Sequence, residues 1–152
     1  MSDTATLTGQ DIGQAARATR AVLDALLADS EAEIGSEAAF HQWVALNVLG
    51  TAGSPVEQAR LVQQMTYTLK VAEPAILAAV EAVVSQGLVA ATGDPVRLAL
   101  TGAGETRFQT ISDGIGQIAR RLYGDLPPED LSTTHRVLGI VTERANAALA
   151  SR

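Results

Sequence analysis

Apolar residues recur at helical spacing along most of this chain. Between about Thr8 and Ala28 they return every three or four positions, which predicts an amphipathic first helix. A second stretch, from about Glu37 to Leu49, is apolar on almost every side, as is typical of a helix in the centre of a core. Two further amphipathic stretches, one after Thr101 to about Tyr123 and one from Pro127 onward, predict two long C-terminal helices.

The sharpest local signals lie in the middle of the chain. Residues 54–57, Ser-Pro-Val-Glu, place a serine at a helix N-cap, a proline at the first helical position and a glutamate at the third. They predict a third helix that runs to about Leu69. Because the residue before a proline avoids the helical conformation, Pro74 predicts a break, followed by a fourth helix to Gln86 with Gly87 as its C-cap.

The hydrophobic period then changes. Two short apolar runs, 88–91 and 96–100, flank the turn signal Thr-Gly-Asp-Pro at 92–95, which predicts a β-hairpin. Two helices joined by a short turn and followed by a hairpin form a winged helix-turn-helix, whose second helix normally lies in the DNA major groove. The predicted fold class is therefore mostly α with a small β wing.

Four landmarks follow one another along the chain. Phe-His-Gln-Trp at 40–43 opens the second helix, and Gly-Leu-Val at 87–89 closes the fourth. Leu-Ala-Leu-Thr-Gly-Ala-Gly at 98–104 leaves the hairpin, and Leu-Tyr-Gly-Asp-Leu-Pro at 122–127, followed by Glu-Asp-Leu at 129–131, separates the last two helices. In this order and spacing they resemble the MarR-type transcriptional regulators over nearly the whole chain.

The resemblance implies one domain over residues 1–152. Dimerisation helices within 1–35 and 105–152 would flank a winged helix-turn-helix core at 37–104. It also implies a homodimer, a palindromic DNA site and, often, release of DNA when a small, frequently aromatic molecule binds. Independently, the first, fifth and sixth predicted helices carry more apolar surface than a small domain can cover, which favours a dimer.

Candidate DNA-contacting residues follow from the same resemblance. They lie at the end of the third helix, on the outward side of the fourth and on the wing: Thr66, Thr68, Lys70, Ala75, Ala78, Ala79, Ala82 and Arg97. Each group has a second interpretation. The third helix can simply end in solvent, the fourth can be an apolar packing helix, and Arg97 can be an ordinary surface partner of Asp94.

The charge pattern around the fourth helix departs from the family. Residues 71–96 contain no lysine or arginine but hold Glu73, Glu81 and Asp94. DNA phosphates repel such a surface, and alanines contact a thymine methyl without making bidentate hydrogen bonds to guanine or adenine. The formal net charge of −6 points the same way, although the position of the cations matters more than their sum.

Four ring-bearing side chains are candidates for a ligand cavity: Phe40, His41, Trp43 and Tyr67. Trp43 can equally be a core residue and His41 a satisfied, half-exposed one. The chain has no cysteine and only two distant histidines, so the sequence predicts no metal site. It has no glycine-rich phosphate loop, nucleophile elbow or Ser/His/Asp grouping, so we expect neither an enzyme nor a cofactor.

Two functions remain open on the sequence alone. One is a MarR-like regulator that binds DNA as a homodimer and responds to a ligand. The other is a winged-helix dimer that has lost DNA recognition and binds a protein or a small ligand, which predicts a neutral or negative surface along the fourth helix. Because the N-terminus has no basic region before an apolar run, and no apolar stretch is long enough for a bilayer, we expect a cytoplasmic protein without a membrane partner.

Overall fold

The computed structural model describes residues 5–30 and 36–152, and most of them are helical. The elements follow in the order α1 (Gly9–Ser30), α2 (Ser36–Ala52), β1 (Val56–Glu57), α3 (Gln58–Leu69), α4 (Glu73–Ser85), β2 (Val89–Thr92), β3 (Arg97–Leu100), α5 (Gly102–Tyr123) and α6 (Pro128–Ala150). The predicted fold class, mostly α with a small β wing, is confirmed. Two compact units divide the chain at residues 115 and 116.

Helix α1 begins at a reciprocal cap. The Thr8 backbone N–H donates a hydrogen bond to Asp11 Oδ2 at 2.8 Å, and the Asp11 backbone N–H donates to Thr8 Oγ1 at 3.2 Å. Two of the donors that a helix start leaves unpaired are thereby satisfied. The hydrogen bonds from the Thr8 side chain and backbone hold the pKa of Asp11 below its ordinary value.

Helix α2 is the central element of the first unit, as its all-round apolar pattern predicts. It contacts α1, α3, α4 and β3. Its buried apolar residues belong to one hydrophobic cluster, which also includes residues of every other element that packs on α2. The cluster consists of Leu27, Trp43, Ala45, Leu46, Leu49, Leu61, Val62, Met65, Ile76, Val80, Val83, Leu88, Val89, Leu98 and Ile111. The helix-turn-helix and the wing are thus held by the same core.

The predicted start of the third helix is wrong. Val56 and Glu57 form β1, which pairs antiparallel with β3 so that Val56 lies opposite Leu98 and Glu57 opposite Arg97. The Gln58 backbone N–H then donates to the Val96 carbonyl at 2.9 Å. The sheet therefore has three strands, in the order β1-β3-β2. Pairing with the wing gives hydrogen-bond partners to backbone groups that the expected Ser-Pro cap would have left to solvent.

The helix-turn-helix has short, well-defined ends. Lys70, in a left-handed conformation with φ of 58°, ends α3, and its N–H donates to the Thr66 carbonyl at 3.1 Å. Helix α4 ends at Ser85 with Gln86 as its C-cap, so the predicted cap at Gly87 is one residue late. Gly87 instead takes the left-handed position that follows the cap, with φ of 74°.

The wing and the start of α5 are tied to the end of α4. The hairpin strands pair so that Val89 lies opposite Leu100 and Thr92 opposite Arg97, which confirms the predicted hairpin with bounds shifted by one residue. Thr101 Oγ1 donates to the Gly87 carbonyl at 2.6 Å and accepts from the Gly104 backbone N–H at 3.1 Å. These bonds fix where α5 leaves the sheet.

The second unit, residues 116–152, comprises the end of α5 and all of α6. Helix α6 buries no residue in the single chain. Large apolar side chains are exposed along this unit: Leu122, Tyr123, Leu126, Leu138, Ile140, Val141 and Leu149. No helix in the described part of the chain has the length and apolar character needed to cross a membrane.

Candidate nucleic-acid interface

The outward side of α4 is lined by alanines, and one of the four predicted positions is not on it. Ala78 is exposed, and Ala75 and Ala82 are partly exposed. Ala79 is only 4% exposed and lies on the core side with Ile76. Its predicted contact with DNA is therefore wrong: at 100° per residue, position 79 falls on the buried stripe, and alanine fits either environment.

No positive charge accompanies the exposed alanines. Glu73, in the first turn of α4, and Glu81, farther along it, are both exposed, and residues 71–96 contain no lysine or arginine. This helix surface is therefore neutral to negative. A depression of about 710 Å³ between α3, α4 and the wing adds to this character, because Glu57 and Glu73 are the charged residues that line it.

The end of α3 presents one cation. Lys70 Nζ lies 4.2 Å from the centre of the Tyr67 ring and donates to the Tyr67 carbonyl at 2.7 Å. Thr68 is exposed beside it. Thr66 differs, because its Oγ1 is buried and has no hydrogen-bond partner among the described residues, so this hydroxyl does not face solvent as a phosphate contact requires.

Arg97 lies exposed on the wing strand β3, between Glu57 of β1 and Thr92 of β2. In the described part of the chain it forms no ion pair with Asp94 or with Glu57, so the ordinary surface pairing considered for it does not occur. Its guanidinium has all its donors available. Arg97, the wing cation that the sequence analysis selected, is therefore exposed to solvent and unpaired in the described part of the chain.

Arg60 is the residue that sequence reasoning missed. It is exposed in the first turn of α3 and lines, together with Arg97 and Tyr67, a depression of about 660 Å³ between the end of α2, β1, α3 and β3. The spacing of Arg60, Gln64 and Tyr67 along one side of a helix was available in the sequence. The sequence pattern did not predict β1, and it is the pairing of β1 with β3 that brings the wing strand to this side of α3.

The four ring-bearing candidates lie in different surroundings. Trp43 is 6% exposed and stacks on Phe108 with ring centres 6.0 Å apart, and His41 is 7% exposed with its Nε2 3.8 Å from Glu37 Oε2. Tyr67, in contrast, is 60% exposed on α3 and lines two depressions that contain none of the other three. In the single chain Tyr67 therefore lies apart from the buried Trp43 and His41, and the ligand cavity expected for these four residues stays a prediction.

Phe40 has a cationic neighbour. The Arg20 guanidinium lies 3.5 Å from the centre of the Phe40 ring, and it also pairs with Asp24 Oδ1 at 2.8 Å and Glu37 Oε1 at 3.1 Å. This network joins α1 to α2. Within residues 5–30 and 36–152, no three carboxylate or imidazole groups are placed to hold a metal ion.

Known proteins resemble this chain in structure, whereas no sequence family matches it. No family model matches the sequence, and neither does any curated protein sequence. The structure of NadR in complex with 4-hydroxyphenylacetate matches at 19% identity and a TM-score of 0.68, covering 92% of this chain and 99% of NadR. The oxidized form of MarR from E. coli matches at 19% identity and a TM-score of 0.65, covering 92% and 97%.

A third match is a MarR family transcriptional regulator from Silicibacter pomeroyi, at 20% identity and a TM-score of 0.70, covering 88% of this chain and 86% of that one. At these identities the likeness is one of fold. It extends over both the winged helix-turn-helix and the flanking helices. The chain therefore has the winged-helix fold of the MarR-type transcriptional regulators.

Proposed function

We propose that this chain is a MarR-type transcriptional regulator that binds duplex DNA as a homodimer. The observation that carries the proposal is the extent of the fold match, which spans nearly the whole of both chains. The Silicibacter pomeroyi protein with this fold is a MarR family transcriptional regulator, so the activity proposed here is binding. A cytoplasmic location follows, because the regulator acts where DNA is.

The homodimer rests on the exposed apolar side chains of the second unit. Leu138, Val141 and Leu149 recur along α6, which buries none of its residues in the single chain. A contiguous apolar surface of this kind is typical of a subunit interface, and a second copy covers it with the same residues about a two-fold axis. We assign dimerisation to the helices within 1–35 and 105–152 and DNA binding to 37–104.

DNA binding is tested by fluorescence anisotropy with a labelled duplex from the protein's own upstream region. We expect binding that weakens as salt is added, since phosphate contacts release counterions. No binding at low salt to any duplex from the neighbouring intergenic DNA contradicts the proposal.

Ligand response is part of the same proposal. NadR was solved with 4-hydroxyphenylacetate, an aromatic acid. In this chain Phe40 lies under the Arg20 guanidinium, and such an acid would compete with Asp24 and Glu37 for that cation. Titrating 4-hydroxyphenylacetate into the protein–DNA complex tests this: release of DNA supports the response, and unchanged affinity at saturation contradicts it for this ligand.

The alternative function is a winged-helix dimer that binds a protein or a small ligand without reading DNA. The absence of cations from the α4 surface favours it. The two functions separate in the anisotropy experiment, because this one gives no duplex binding at low salt while the dimer remains intact.

A further inference from the structure

Residues 54–101 carry three exposed cations: Arg60 and Arg97 lie on the α3–β3 side of the winged helix, and Lys70 lies at the end of α3. Arg60 and Arg97 line one depression, which we call the α3–β3 site, with Ser54, Gln63, Gln64 and Tyr67 as its other hydrogen-bonding side chains and Glu57 as its acid. Neither arginine forms an ion pair or a side-chain hydrogen bond with a described residue. The site therefore presents two unengaged guanidinium groups beside neutral hydrogen-bonding side chains.

This combination suits a phosphate group. Guanidinium groups bind phosphate oxygens with two parallel hydrogen bonds, and amide and hydroxyl side chains add donors. Glu57 reduces the positive charge of the site, but its carboxylate does not engage Arg97, although the two residues are partners in the sheet. The α4 side has the opposite character, with Glu73 and Glu57 lining its depression.

Duplex DNA fits the site better than a free small anion does. Both guanidinium groups are exposed, so water screens each contact and one phosphate bound alone gains little. A polyanion gains from many such contacts at once, and a dimer doubles their number. Arg97 also stands on the wing, which is the part of this fold that normally reaches the DNA backbone.

We propose that Arg60 and Arg97 hold the phosphate backbone of duplex DNA at the α3–β3 site, which makes this site, and not α4, the main electrostatic contact of the protein. The inference rests on the DNA binding proposed above and assigns that binding to a surface. Phosphate contacts fix position without reading bases, so the same assignment gives weak discrimination between sequences.

The test compares the dissociation constants of three double variants over a series of salt concentrations, with a duplex from the upstream region and one of scrambled sequence. R60A/R97A removes both guanidinium groups. R136A/R144A removes the same charge from exposed positions on α6 and is the matched control. R60K/R97K keeps the charge but not the paired hydrogen bonds. Thermal unfolding of each variant confirms that it is folded.

We expect R60A/R97A to bind both duplexes about tenfold or more weakly at physiological salt, as charge-assisted hydrogen bonds are worth that much. The slope of log affinity against log salt becomes shallower by about 0.9 for each phosphate that the variant no longer neutralises. R136A/R144A stays close to the unmodified protein, because its charges lie outside the site, and R60K/R97K recovers part of the affinity.

Two results overturn the inference while leaving the proposed function in place: unchanged DNA affinity of R60A/R97A, or an equal loss of affinity in R136A/R144A, which reduces the effect to net charge. A third result also overturns the assignment. If NMR titration shows that Arg60 and Arg97 bind inorganic phosphate, while R60A/R97A leaves the duplex affinity unchanged, the site binds small anions and not DNA. If the unmodified protein binds no duplex, the proposed function itself fails.

Discussion

At Gly104 and Gly114, neighbouring atoms approach so closely that only glycine fits without a rearrangement. Gly104, at the start of α5, contacts the Leu88 carbonyl oxygen where a Cβ would stand, and a Cβ at Gly114 would lie 2.9 Å from Leu26 Cδ1. The sequence shows both glycines but not their contacts. Ala79 differs, since alanine itself gives no sign of facing the core, but its spacing from Ile76 and Val83 along α4 places it on the buried stripe.

Replacing Gly104 with alanine is therefore expected to destabilise the fold by about 2 kcal/mol or more, because the new methyl meets backbone that cannot move aside cheaply. Chemical denaturation monitored by circular dichroism measures this. Gly102→Ala is the control, since nothing lies within 4 Å of a Cβ there and alanine favours the helix. Equal stabilities of the two variants would show that the packing at Gly104 is not tight.

Whole elements were predictable where the hydrophobic period was long. The first, second, fifth and sixth helices follow from periodicity, because many residues repeat the signal, and cap, proline and turn signals added the third and fourth helices and the hairpin. Strand β1 was missed because two residues show no period and because Ser-Pro-Val-Glu at 54–57 is a good local cap signal. The pairing of Glu57 with Arg97 is a long-range event that no local pattern contains, and the α3–β3 site depends on it.

The neutral-to-negative surface of α4 makes a separate prediction. Ala78→Arg places a cation at an exposed position of this helix, one turn before Glu81. If α4 faces the duplex, affinity rises and the salt dependence becomes steeper by about 0.9 for one further phosphate neutralised by each protomer. Anisotropy with Ala18→Arg, an exposed position on α1, as the charge-matched control checks this. No difference between the two variants would show that α4 lies away from DNA.

At the scale of the whole molecule, the order of the landmarks identified the fold, and the structure matches MarR-type regulators at 19% to 20% identity. Function was less predictable than fold because the fold is set by the apolar residues of α4, whereas DNA binding depends on positive charges that α4 does not carry. The proposed contacts with DNA rest on the exposed arginines that the fold brings together, and only the folded chain shows that Arg60 and Arg97 line one depression.

The dimer is tested by light scattering at micromolar concentration, where we expect twice the 15.8 kDa mass of the chain. Leu138→Glu places a charge in the exposed apolar stripe of α6 and is expected to shift the mass toward that of one chain, because burying the carboxylate is costly. Ala147→Glu, on the opposite side of the same helix, should leave the mass unchanged. A monomeric unmodified protein would contradict the interface.

The central claim is that the winged helix holds DNA through α3 and β3. The most direct measurement is an NMR titration of the isotope-labelled protein with a duplex from its upstream region at low salt. The account predicts that the amide signals of Arg60, Tyr67 and Arg97 move most, that those of α4 around Ala78 move less, and that added salt reverses the changes. Changes confined to α4, or no changes at all, would contradict it.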